Sequence, residues 1–226
     1  MKYQKIVEGK FIKRLNRFVA VCLIDGKEIH CHVKNTGRCG EILLEGAQCF
    51  LEEASNPERK YKYSLVTVRK GDRLINIDSQ APNKAAGEFL SQGRLFTDIE
   101  NLRAEKIFGN SRFDFYFEHD GKKAYLEVKG VTLEKDGAVF FPDAPTVRGT
   151  KHLNELCECV RQGMEAYALF VVQMKDVSYF SPNNITDPDF AAALKHAFEC
   201  GVRILCYDCS VTPNEMNIVD SVPVIL

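Results

Sequence analysis

No stretch of this chain approaches the roughly 20 consecutive apolar residues that a membrane-crossing helix needs. The longest, such as Ala168 to Val172, fall far short. The first residues, Met1 to Ala20, alternate charge with isolated apolar positions and lack the apolar run of an export signal. Net charge is nearly absent as well, with 30 basic residues against 31 acidic. Nor is there an internal repeat or a low-complexity tract. With 45% hydrophobic and 27% charged residues over 226 positions, disorder and fibrous structure are excluded. These absences predict an unexported, cytoplasmic protein with no membrane partner, made of one large domain or two modest ones.

The near-neutrality conceals an asymmetry. Residues 1–80 carry 15 Lys/Arg against 10 Asp/Glu, and residues 81–226 carry 15 against 21. A basic module able to hold a polyanion followed by an acidic one able to hold cations is one reading, and an ordinary solvated surface is the other. Nine cysteines is a high and odd count, and without an export signal they are expected to be reduced and mostly packed as small apolar residues. Cys206-Tyr-Asp-Cys209 and Cys157-Glu-Cys159 are the closest approach to metal spacing. Structural zinc normally takes two well-spaced pairs, so zinc is not expected from the spacing.

Residues 1–80 read as short strands, Phe18 to Ile24, Glu28 to Val33, Ala47 to Glu52, Tyr63 to Val68 and Leu74 to Ile77, separated by turn signals such as Asp25-Gly26 and Lys70-Gly71. That spacing predicts a small closed all-β barrel, OB-like first and SH3-like as the alternative. The pattern changes near Ala81-Pro82-Asn83, where Asn83 can cap a helix through Leu90, and the boundary is placed there. Residues 81–226 then read as helix, three strands (Arg103 to Phe108, Arg112 to Glu118, Lys123 to Val128), an irregular stretch, a helix from about Lys151 to Gln162, the strand Ala168 to Val172, a helix near Phe190 to Glu199 and the strand Val202 to Cys206. This order indicates a mixed-sheet α/β domain.

The three consecutive strands carry the chemistry. Gly109-Asn110 and Asp120-Gly121 suit two-residue hairpin turns. Read so, Glu105 faces Asp114, which faces Glu127, while Phe113, Phe115, Phe117, Leu126 and Val128 fall on the opposite face. Like charges opposed across a sheet destabilise it, so a row of acids calls for solvent or a cation. Mg²⁺ or Mn²⁺ suits such a donor set and can activate water and neutralise charge when a phosphodiester is cut. Lys129 lies on the face of Glu127. The candidate catalytic group is therefore Asp114, Glu127 and Lys129, with Glu105 beside the metal and Glu88 reaching it from the preceding helix. The same pattern also describes the solvated face of an amphipathic sheet.

Arg148, Lys151 and His152, leading into a helix, form a candidate phosphate-contacting corner. In the amino-terminal part, Lys13, Arg14 and Arg17 interleave with Tyr3, Phe11 and Phe18, and Arg59-Lys60-Tyr61-Lys62-Tyr63 repeats the mixture. Basic groups with aromatic faces are what sequence-tolerant nucleic-acid grooves use, although at least half of these aromatics are expected in the core.

Several segments together resemble the bacterial sugar fermentation stimulation proteins: Ile12-Lys13-Arg14-Leu15-Asn16-Arg17-Phe18, Asn35-Thr36-Gly37, Ser111-Arg112-Phe113-Asp114-Phe115, Glu127-Val128-Lys129-Gly130-Val131-Thr132-Leu133, Phe141-Pro142-Asp143-Ala144 and Arg148-Gly149-Thr150-Lys151-His152-Leu153. The resemblance implies an OB-like first domain and a second similar to the PD-(D/E)XK nuclease superfamily. It also implies sequence-tolerant DNA binding and a regulatory role in sugar, notably maltose, metabolism. That superfamily's acidic pair and lysine fall on Asp114, Glu127 and Lys129, with Phe113 where its name has proline. A DNA-binding module with DNA as partner is the first expectation and a metal-dependent DNase the alternative. A small-molecule or protein adaptor is the third reading, and the oligomeric state, homo-oligomer included, stays open.

Overall fold

The computed structural model describes all 226 residues. Its first part is a five-stranded closed barrel built from β1 (Ile6–Asn16), β2 (Val19–Ile24), β3 (Lys27–Val33), β4 (Gln48–Glu53) and β5 (Tyr63–Lys70). Antiparallel pairing runs β3-β2-β1-β4-β5, and the ring closes where β3 meets β5 in parallel at His32↔Ser64 and Val33↔Leu65. Closure removes the free edges that would template aggregation. The short β6 (Arg73–Asn76) turns back to pair antiparallel with the end of β5. Phe11, Ala20, Cys22, Cys31, Cys49, Leu51 and Leu65 fill the interior, the three cysteines serving as small apolar residues with free thiols.

Strand β1 is absent from the sequence-based expectation, which read residues 2–17 as a basic and aromatic run. Its pairing with β2 shifts register between Phe11 and Lys13 and again between Arg14 and Asn16. Two irregularities in one strand erase the alternation that would announce it.

The second part is a six-stranded mixed sheet. Its strands are β7 (Glu100–Phe108), β8 (Ser111–His119), β9 (Lys122–Val131), β12 (Glu165–Val172), β14 (Arg203–Thr212) and β15 (Glu215–Ser221), ordered β15-β14-β12-β9-β8-β7. Helix α1 (Ala81–Ser91) covers one face, and α2 (Val147–Arg161) and α3 (Pro188–Glu199) cover the other. Central β12 is therefore buried on both sides, which is why Ala166 to Val172 is continuously apolar. The stretch expected to be irregular contains β10 (Leu133–Lys135) and β11 (Ala138–Phe141), which form a small sheet with β13 (Phe180–Pro182). No helix is long and apolar enough to cross a membrane.

Two helix starts differ from expectation. α2 begins at Val147, ahead of the expected Lys151, because Thr146 caps it by accepting the Gly149 N–H at 3.0 Å. α1 begins at Ala81 with Pro82 in its first turn and no side-chain cap, so Asn83 is free for another partner.

A buried polar knot joins the parts. Gln173 donates to the Asn76 carbonyl (2.9 Å), the Asn76 Oδ1 (3.1 Å) and the Asp78 carbonyl (3.1 Å), while its own carbonyl accepts the Asn76 N–H. Tyr3 adds its hydroxyl, donating to Asp78 and accepting from Asn76. The chain's first residues belong to this junction and to the second sheet, since Met1 and Tyr3 bond to Met216 and Asn214. Removing one member leaves several fully buried groups unpaired. Gln173→Ala is expected to cost about 2–3 kcal/mol in urea unfolding, and a change under half a kilocalorie would refute the knot's structural role.

Candidate metal centre

Both hairpins of the meander adopt the registers that their turns dictate. Lys106 pairs with Phe113 and Ala104 with Phe115 across the first, and Phe115 pairs with Leu126 and Tyr116 with Tyr125 across the second. The β8–β9 ladder stops at Phe115↔Leu126, one step before Asp114 and Glu127. There the strands part, and the Asp114 carboxylate fills the gap. Its Oδ2 accepts the Val128 N–H at 2.7 Å, a donor the ladder would otherwise leave orphaned. Its Oδ1 accepts from the Asn83 amide of α1 at 2.6 Å. The alternation expected along β8 breaks here: Phe115 and Phe117 face α1 with Leu126 and Val128, whereas Phe113 lies on the other side against Tyr125 and His152.

Glu127 points to the α2 side and is only 4% exposed. Its Oε1 accepts from the Lys129 ammonium at 2.5 Å and from His152 Nδ1. Arg148 donates to His152 Nε2 over a long 3.4 Å, which fits an imidazole carrying its proton on Nδ1. Oε2 of Glu127 is buried with no hydrogen-bond partner. Gly130 follows Lys129 because a side chain there would collide with Pro82 of α1 and the Gln173 amide. The close seat of α1 that brings Asn83 to Asp114 depends on that missing Cβ.

The two acids are driven in opposite directions. Burial, then the Glu127 charge, raises the Asp114 carboxyl above its usual range despite the Val128 N–H, Lys129 and Asn83. Burial also pushes Glu127 upward, but the His152 hydrogen bond and the Lys129 charge outweigh it and hold that carboxyl below its usual range. The same neighbourhood thus pushes one carboxyl up and the other down, beside a Glu127 oxygen that nothing satisfies.

Two of the expected metal ligands lie elsewhere. Glu105 sits on the edge strand in a left-handed conformation (φ 56°), mostly exposed and 3.4 Å from Arg112. Glu88 pairs with the amino group of Met1 at 2.7 Å. Five positions separate it from Asn83, which turns it about 140° around the helix from the residue that reaches Asp114. His152 is also misplaced by a phosphate-contact reading, for it is buried on Glu127.

Arg14 corrects the basic-groove expectation. Its guanidinium donates to the carbonyls of Asn16, Gly37, Arg38, Arg17 and Asn35, which exhausts its five N–H groups. It folds the Asn35–Arg38 loop and offers nothing to a phosphate. That loop lines a cavity of about 500 Å³ with Arg17, Arg38 and Ala144, where Arg38 N–H also donates to Asp143 of the second part. Arg38 is a basic group the sequence reading missed, and its signal was the turn Asn35-Thr36-Gly37 beside it. Lys13 and Arg17 are exposed near the half-exposed Phe18, while Tyr3 and Phe11 are core. Arg59 reaches Ser64 and His32, and Lys60 lies over the Tyr61 ring. Arg148 and Lys151 are exposed on the first turns of α2, with Lys151 donating to the Asn110 carbonyl.

Comparison with known proteins gives a consistent result. Residues 12–77 match the SfsA N-terminal OB domain, and residues 80–215 match the sugar fermentation stimulation protein RE domain. A sugar fermentation stimulation protein homolog of Clostridium beijerinckii is 53% identical over 226 residues, covering 100% of both chains. One from Desulfitobacterium hafniense is 53% identical, covering 99% of this chain and 98% of its own. Among solved structures, the Pyrococcus furiosus SfsA in complex with Ca²⁺ superposes with a TM-score of 0.91 at 26% identity, covering 100% of this chain and 98% of that one.

The opposed acids predict opposed stability effects in cation-free protein. A carboxyl raised in the folded state favours folding when protonated, and that contribution is lost as pH rises through its folded value. Asp114→Asn should therefore raise the melting temperature at pH 7 and flatten its fall above the usual aspartate range. Glu127→Ala strands Lys129 and His152 and is expected to cost about 3 kcal/mol. Calorimetry showing the same sign for both would contradict this electrostatic picture. Arg14→Ala should cost about 2 kcal/mol, with Arg14→Lys failing to restore it. Full rescue by lysine in urea titrations would refute the five-carbonyl clamp.

Proposed function

The chain belongs to the sugar fermentation stimulation protein family, and from that premise we propose that it binds DNA with little sequence preference and holds Mg²⁺ or Mn²⁺ at Asp114 and Glu127. The observation that carries this reading is Glu127 Oε2, a buried oxygen without a partner beside a second carboxylate. An all-oxygen set of this kind suits a hard divalent ion. When bound, such an ion supplies a Lewis acid that neutralises charge on a phosphate oxygen.

The remaining roles fall to the chain's own groups. His152 fixes the rotamer of Glu127 by bonding its Oε1 and leaves Oε2 free. Lys129, one hydrogen bond from Glu127, presents an ammonium to a phosphate oxygen or a water at the mouth of the site. Arg148 and Lys151 flank that mouth and hold the backbone of the nucleic acid. On the barrel, Lys13, Arg17, Arg38, Arg59 and Lys60 supply further phosphate contacts, and Phe18, 50% exposed, supplies a face for a base. A regulatory part in sugar use, maltose included, would act through this DNA contact.

Hydrolysis of the phosphodiester is the second reading. It is favoured by the placement of Lys129, whose ammonium, one hydrogen bond from Glu127, would steady the negative charge that develops on the attacked phosphate. Single- and double-stranded DNA incubated with Mg²⁺ or Mn²⁺ tests both. Wild-type protein should bind with affinity falling steeply in salt, and Arg17→Ala with Arg38→Ala should lower the salt slope by about 2. Asp114→Asn should abolish the cation-dependent part of binding and any cleavage, and Lys129→Ala any cleavage. Cation-dependent cutting that survives both variants would remove the function from this site.

A further inference from the structure

Outside the carboxylate site, three ligand-type side chains converge from two helices. α2 and α3 lie side by side in the same direction. Their amino ends meet where Asp187, the cap of α3, accepts the N–H of Thr146, the cap of α2, at 2.7 Å. Their carboxy ends meet at Cys157, His196 and Cys200, whose ligand atoms all lie within 4.8 Å of one another. His196 and Cys200 are one turn apart, with the ring Nε2 already 3.3 Å from the Cys200 sulfur. Cys157 is buried, Cys200 half-buried and His196 exposed, so the cluster has a closed side and an open one.

We infer that Cys157, His196 and Cys200 bind a soft divalent cation of the zinc class, which ties the carboxy ends of α2 and α3 together and leaves a fourth position to water. Four-coordinate zinc bonded to sulfur at 2.3 Å and to nitrogen at 2.0–2.1 Å sets its ligands about 3.5–3.8 Å apart. The cluster reaches that spacing by a contraction of roughly 1 Å at most, within the reach of side-chain rotation. Helix polarity favours the charge as well. The negative ends of two helix dipoles meet here. Thiolate and imidazole ligands select zinc, whereas the carboxylates of Asp114 and Glu127 select hard ions, so the two sites sort cations by chemical class.

The spacing of cysteines along the chain conceals this site. Cys159, beside Cys157 in sequence, and Cys206 and Cys209, which follow Cys200, are core residues, and the companions of Cys157 come from α3.

The test is titration of the reduced, metal-stripped full chain with Co²⁺ in excess Mg²⁺, followed by its thiolate-to-cobalt absorption. The expected result is saturation at one equivalent, displacement of cobalt by zinc, and a melting temperature that rises with zinc concentration. Cys200→Ser should abolish the band. His196→Ala, which alters an exposed position and spares the core, should weaken cobalt binding at least tenfold. Asp114→Asn and Cys206→Ser should leave the band intact. Absence of a stoichiometric thiolate band in wild type, its persistence in both Cys200→Ser and His196→Ala, or its loss in Cys206→Ser would overturn the assignment.

Discussion

A buried carboxylate with one oxygen covered and one left bare is the constraint on which the second part of this molecule turns. An ion of that size taken out of water costs several kcal/mol unless its partners repay it. On Oε1 of Glu127 the repayment is complete, through Lys129 on the same strand and His152 from the helix above. On Oε2 there is none, and the neighbouring charge is Asp114, which worsens the balance. A fold does not hold this arrangement for stability. The bare oxygen is the observation on which the proposed cation site rests.

Much of the surrounding architecture serves that placement. Parting of β8 from β9 lets the Asp114 side chain stand in for a main-chain acceptor. The bare Gly130 lets α1 approach, and Asn83 then braces Asp114 from the side opposite Glu127. α2 enters through the Thr146 cap, presents Arg148 and Lys151 to solvent and turns His152 inward. Joined to the sheet by the Gln173 knot, the barrel brings Arg17 and Arg38 into the same molecule as the acids, and the Arg14 clamp shapes the loop that carries Arg38.

The sequence made the meander legible because its two turns have fixed chemistry. Gly109, Asp120 and Gly121 take the positive φ that hairpin turns of this kind demand, and once the turns are placed the register follows, bringing Asp114 and Glu127 to the end of the β8–β9 ladder with Lys129 bonded to Glu127. The closed barrel was legible from turn spacing, apart from β1, whose irregular pairing hid it. What could not be read was whatever depends on direction and not on order. Glu105 leaves the row through a left-handed backbone, Glu88 through its angle on the helix, and Arg14 because carbonyls from a distant loop claim its donors. The partners of Asn83 and His152 and the Cys157 cluster were hidden for the same reason, since packing between helices and sheet brings together residues that no local pattern relates.

The most direct measurement is anomalous diffraction from crystals soaked in Mn²⁺. The account predicts a peak shared by the Asp114 carboxylate and Glu127 Oε2, with metal–oxygen distances of about 2.1–2.2 Å, and its loss in Asp114→Asn. A map with a water hydrogen-bonded to Glu127 Oε2 and no anomalous peak between the two acids would contradict it.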